Sequence, residues 1–228
     1  MIVIKNSKLR RFLKIVIPFV MIPLLVAVGA VFADGKRHLL ISLGVAVLTL
    51  LLFATGFERK AVGSRRMVIA AVFVALCIAG RFIPLFKPVT ALTVIAAVYL
   101  GGETGFAVGA LSALLSNFYF GQGPWTPFQM LAWGAIGLVA GAFASPLKRN
   151  RMLLVIYGVA SGILYSFIMD MWTVMWYNGS LDKGLYLSAV VAAVPHTVAY
   201  AISNVIFLWF LAKPFGDKLE RIKIKYGI

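Results

Sequence analysis

The chain has 228 residues, of which 62% are hydrophobic and 13% charged, with a mean hydropathy of +0.97. An ordinary soluble domain carries about 25% charged residues, so a cytosolic enzyme, a secreted disulfide scaffold and a disordered chain are all excluded. The net charge of +15 would suggest nucleic acid in a soluble protein, but here Lys and Arg crowd the ends of apolar segments, as topology determinants do at an anionic membrane surface.

The apolar runs separate into about eight spans. They cover Ile15–Ala33, Leu39–Phe57, Met67–Gly80, Val89–Leu100, Thr104–Asn117, Pro127–Ala144, Met152–Trp176 and Leu185–Leu211. Each is read as a helix, because lipid tolerates only helices or closed barrels and these runs lack the alternation of barrel strands. The fourth and fifth are short and meet at Gly101-Gly102-Glu103, so they read as one membrane hairpin. The expected fold is an all-α integral membrane protein.

The distribution of Lys and Arg sets the expected topology. Five lie in residues 1–14, four in 58–66, three in 145–151 and five in 212–228. With the N-terminus inside, 17 basic residues face the cytoplasm and 5 face out. Both termini are therefore expected in the cytoplasm. Residues 5–14 followed by an apolar run and Val31-Phe32-Ala33 resemble a signal peptide, but the 19-residue run exceeds the usual apolar region of about 7–15. Retention of this segment is the expectation.

Small residues mark helix–helix faces in lipid, where apolar contact alone gains little. Gly101, Gly105 and Gly109 repeat every four residues and continue to Ala113; Gly137 pairs with Gly141, and Gly158 with Gly162. These read as internal packing. Ala71, Ala75 and Ala79 follow a basic segment (Arg59, Lys60, Arg65, Arg66) on the third span. That stripe fits either internal packing or a docking face for another membrane protein.

Polar and aromatic residues gather toward the outer side. The uncharged loop 117–127 holds Phe118, Tyr119, Phe120, Gln122 and Trp125, with Phe128 and Gln129 next on the following helix. Facing it is the proline-stiffened loop from Arg81 and Phe82 to Lys87 and Pro88. On the seventh span Tyr165, Met169, Trp172 and Trp176 share one face, which fits a ligand wall or an interfacial aromatic belt. Asp170 lies about 27 Å along that helix from Met152, where Arg81 is a plausible partner. His196 follows Pro195 about 16 Å below Leu185, a place for an interhelical hydrogen bond or a ligand contact.

Catalytic signatures are missing. The sequence has no G-x-x-x-x-G-K-[ST], G-x-S-x-G or H-E-x-x-H, and its lone Cys77 permits neither an internal disulfide nor a C-x-x-C site. No catalytic set, metal site or covalently bound cofactor is expected.

Six spans from about residue 65, the Ala71/Ala75 face, a glycine-rich hairpin and an aromatic outer loop together resemble the S-component of an energy-coupling factor vitamin transporter. The resemblance covers about residues 65–212. The stretch Gly121-Gln122-Gly123-Pro124-Trp125-Thr126-Pro127-Phe128-Gln129-Met130, running into Gly134 and Gly137, is similar to the cobalamin-type branch. Residues 1–62 then form a two-helix extension, and 63–228 a six-helix substrate-binding core.

The resemblance implies a bacterial, multi-pass importer subunit that binds a vitamin, here cobalamin or a related corrinoid, at the outer face. It would then join a membrane coupling subunit and two cytosolic ATPases and topple to open inward. Loops 81–88, 117–127 and 177–184 would enclose the ligand. The candidate contacts are Arg81, Phe82, Tyr119, Phe120, Gln122, Trp125, Phe128, Gln129, Tyr165, Asp170, Trp172, Trp176, His196 and Tyr200. Ala71, Ala75 and Ala79 would dock the coupling subunit. An ion-coupled secondary transporter of a small organic solute is the alternative, although paired ionisable groups at mid-membrane are lacking.

Overall fold

A computed structural model of the protein describes residues 6–32, 38–56 and 60–226. The described residues are helical throughout their ordered elements. The first pass is α1 (Ser7–Val16), a π-helical turn at Ile17–Met21 that contains Pro18, and α2 (Ile22–Phe32). Then follow α3 (His38–Thr55), α4 (Lys60–Gly80), α5 (Val89–Leu100), α6 (Gly102–Phe120) and α7 (Thr126–Ala142). The short α8 (Ala144–Arg149) leads to α9 (Arg151–Asn178) and α10 (Lys183–Tyr226). Ala33 and Phe57, which the sequence places at span ends, and Arg59 of the basic segment lie outside the described residues.

This is an all-α membrane protein. Among the described residues, five helical segments are long and apolar enough to cross a bilayer: Ser7–Val31, His38–Thr55, Gly63–Gly80, Arg151–Asn178 and Lys183–Tyr226. The helix α5 has 12 residues, about 18 Å at 1.5 Å per residue and short of a ~30 Å hydrocarbon core. Its neighbours compensate: every residue of α5 except Tyr99 is buried, with α4, α6, α7, α9 and α10 around it. The expected hairpin turns on Gly101 alone, whose φ of 102° admits the reversal that ends α5 and starts α6.

Helices α6 and α7 pack most closely, and the glycine ladders are the reason. A Cβ placed on Gly137 would stand 2.5 Å from the backbone carbon of Gly105. Only hydrogen at both positions lets the two backbones touch.

Two elements differ from the sequence expectation. The helix α4 starts seven residues before Met67, taking in Arg65 and Arg66. The helix α10 has 44 residues and runs through Pro195 and Pro214 to Tyr226 instead of ending near Leu211. At about 66 Å it is twice the bilayer core in length. Past Pro214 it stays helical because its inner side has partners: Phe215 meets Phe73 edge-on at 5.7 Å, and Gly216 and Leu219 are buried.

The bundle has two distinct ends. Residues 81–88, 121–125 and 179–182 share the loop end, whereas Lys14, Glu103, Lys148 and Glu220 share the basic end. The N-terminal helices lie along α6, α7 and α9. Lys14 is clamped to Glu103 at 2.5 Å.

Candidate functional site

At the loop end, a cavity of about 230 Å³ opens between the 81–88 loop and helices α5, α7, α9 and α10. Its aromatic wall is built from three helices. Trp133 of α7 stacks on Tyr165 of α9 at 4.8 Å and 21°, and Tyr165 meets Tyr200 of α10 edge-on at 5.2 Å. The Trp133 indole N–H donates to Thr90 Oγ1 of α5 at 3.2 Å, which fixes the plane of the ring.

A polar chain ties the loop to that wall. Arg81 donates to Asn117 Oδ1 at 2.7 Å and to Ser116 Oγ, while Asn117 Nδ2 donates to Gln129 Oε1 at 2.8 Å. Gln129 Nε2 in turn donates to the Tyr165 hydroxyl at 3.2 Å. The Arg81 guanidinium also lies 4.7 Å from the Phe120 ring centre and 5.7 Å from that of Trp133. Its Nε is buried without a hydrogen-bond partner among the described residues.

Arg81 and Lys87 both line the cavity, and the lining contains no carboxylate. Burial holds the Arg81 guanidinium below its ordinary pKa, and burial together with the Arg81 charge does the same to the Lys87 ammonium. A half-buried Arg81 and an exposed Lys87 beside a stacked aromatic wall favour an electron-rich, flat ligand.

Of the sequence candidates, Arg81, Gln129, Tyr165 and Tyr200 meet in this cavity. Phe82, Tyr119 and Phe120 form a cluster with ring centres 4.8–5.1 Å apart, which reaches Arg81 through Phe120. Gln122 is occupied locally, donating to Leu114 O and accepting from Thr126. Phe128, Trp172 and Trp176 lie elsewhere, on a cavity of about 30 Å³ shared with Val26, His38 and Ile41 of the N-terminal helices. Trp125 packs edge-on against Trp172 at 5.8 Å.

Asp170 does not pair with Arg81. Ser166 Oγ donates to its carboxylate at 3.5 Å and lies 2.6 Å from Thr197 Oγ1, joining α9 to α10, with His196 exposed nearby. Neither Asp170 nor His196 lines the cavity.

Trp133, Thr90 and Asn204 line the cavity although sequence reasoning did not select them as contacts. The signal was the four-residue step: Trp133 follows Gln129, and Asn204 follows Tyr200, each on the same helical face.

The alanine stripe resolves clearly. Ala71, Ala75 and Ala79 are all exposed on α4, with Val68 and Val72 beside them, whereas Ala70, Phe73, Val74 and Cys77 face the bundle. No helix of the described chain covers that side. Internal packing is thereby set aside for these three residues.

The model of the ECF-type riboflavin transporter S component family matches residues 62–221. The chain belongs to this family. It is therefore a membrane-embedded substrate-binding subunit of a vitamin transporter rather than an enzyme. The match to the S component family begins at the start of α4, so α1 to α3 lie outside it. The family is named for riboflavin, whereas the loop resemblance pointed to a corrinoid. Neither the curated proteins nor the solved structures yield a match.

Proposed function

We propose that this S component captures a flat, electron-rich heteroaromatic vitamin of riboflavin's class in the cavity at its loop end. The observation that carries the reading is the stacked Trp133–Tyr165 wall flanked by Arg81, Lys87 and Gln129. A conjugated ring slides against that wall, the Arg81 guanidinium and the Lys87 ammonium meet its carbonyl or ring-nitrogen acceptors, and Asn204 completes the lining. The volume of about 230 Å³ is below the roughly 300–1,000 Å³ of drug-sized sites. A ring system enters it, and polar substituents extend under the Phe82–Tyr119–Phe120 cluster.

In this reading the loop end faces outward and both termini lie in the cytoplasm of a bacterial cell, as the basic end's charge favours. The exposed Ala71, Ala75 and Ala79 face receives a membrane coupling subunit, and two cytosolic ATPases supply the energy.

A corrinoid is the second reading, favoured by the sequence of the Gly121–Met130 loop. It requires the cavity to widen between α9 and α10, where the α10 residues before Tyr200 are largely exposed. Isothermal titration of the purified chain separates the two. The proposal expects riboflavin to bind with micromolar or tighter affinity and cobalamin not at all. Binding of cobalamin alone assigns the corrinoid, and binding of neither overturns the reading of the cavity.

A further inference from the structure

The basic end carries a second cavity, of about 340 Å³, enclosed by the end of α5, the α8 turn, the start of α9 and the later part of α10. Its floor is apolar, built on Ile95, Val98, Leu147 and Leu154. Its rim is charged: Lys148, Arg149, Arg151 and Lys213 stand against Asp217 and Glu220.

Those charges are not equally committed. Lys148 lies 3.7 Å from Glu220 and 4.4 Å from the centre of the Tyr99 ring. Arg151 stacks on Trp209 at 3.7 Å and donates to its carbonyl oxygen. Arg149 and Lys213 have no salt bridge among the described residues, and both are exposed. The rim thus keeps a net positive charge of two, with two cations free to take an anion.

We infer that this cavity binds the phosphate of an anionic glycerophospholipid, with Arg149 and Lys213 as its principal ligands. The apolar floor argues for a lipid over a free anion, since a small hydrated phosphate gains nothing from Ile95, Val98 or Leu154. The setting agrees: Met152 and Ile156 of α9 and Phe210 of α10, beside the rim, are more than half exposed and face where acyl chains run. Basic pockets between membrane helices hold acidic headgroups in this way. The site is remote from the loop-end cavity and stands whether or not that cavity binds a vitamin.

The test is a lipid titration of the full chain in detergent, read by native mass spectrometry. Phosphatidylglycerol is expected to bind as one saturable molecule, more tightly than phosphatidylcholine and undisplaced by inorganic phosphate. The double variant Arg149→Gln/Lys213→Gln is expected to weaken it about thirtyfold, the effect of two cations each worth about a factor of five. A control on α1, Lys8→Gln/Arg11→Gln, leaves that affinity unchanged. Equal binding of phosphatidylcholine, full displacement by inorganic phosphate, or an equal loss in the α1 control would each overturn the inference. Because the substituted side chains are exposed, the melting temperature of the lipid-free variant is expected to match that of the parent.

Discussion

Replacing Ala71 and Ala75 by leucine separates capture from delivery. The two residues stand about 6 Å apart along α4, on the side that the chain itself leaves uncovered. Facing lipid tails, a leucine is as well solvated as an alanine, so folding stability moves by no more than about 0.5 kcal/mol. Neither residue lines the cavity, so vitamin affinity is expected to be unaffected. A partner helix seated on the alanines has no room for the added carbons. Overpacking costs about 1–3 kcal/mol per site, so the double variant weakens the subunit contact by roughly 2–6 kcal/mol, about thirtyfold to twenty-thousandfold. Ala70→Leu is the internal control: Ala70 is 6% exposed and faces the core, so its enlargement lowers the melting temperature. Cellular uptake, equilibrium binding and thermal stability are measured on the same variants. Uptake that survives Ala71→Leu/Ala75→Leu would refute the docking assignment; loss of binding would refute the separation of the two faces.

Three further outcomes test the packing and the site. Trp133→Ala is expected to cost about 3–5 kcal/mol of stability and at least tenfold in ligand affinity. Trp133→Phe keeps a six-membered aromatic ring but loses the pyrrole half of the buried indole together with the bond to Thr90, so its cost lies above the roughly 0.5–1.5 kcal/mol of that bond and below that of Trp133→Ala, which paired thermal melts and titrations resolve. Gly137→Ala places its Cβ against the Gly105 backbone and pushes α6 from α7; the melting temperature falls, and an unchanged value contradicts the close approach. A double-mutant cycle on Lys14→Gln and Glu103→Gln is expected to give a coupling below about 1 kcal/mol that shrinks in high salt. No coupling at low salt would remove the clamp between the N-terminal helices and the core.

The sequence makes the spans legible because each is a continuous apolar run bounded by charge or by Gly and Pro. It also makes the glycine ladders legible, since close backbone approach demands small residues at a fixed spacing. Which side of a span faces inward is far less visible. In α4, Ala70 is buried and Ala71 exposed although both are alanines among other apolar residues, because lipid and protein interior select the same side chains. The cavity was half legible for a related reason. Arg81, Gln129 and Tyr165 stand out as polar groups in apolar surroundings, whereas only the stacking on Tyr165 distinguishes Trp133 from the other aromatics of the chain. Phe128, Trp172 and Trp176 also have the chemistry of a ligand wall, but the fold places them on a second, smaller cavity beside the N-terminal helices. The length of α10 was hidden by its charged last third, whose inward Phe215 and Leu219 are spaced for a helix yet sit among lysines.

The most direct test of a receptor that relies on others for energy is vitamin retention by proteoliposomes that contain this chain alone, under imposed proton and sodium gradients. The account predicts saturable retention of no more than one vitamin per protein, unchanged when the gradients are collapsed. Gradient-dependent accumulation beyond that ratio would contradict it and make the chain an ion-coupled carrier.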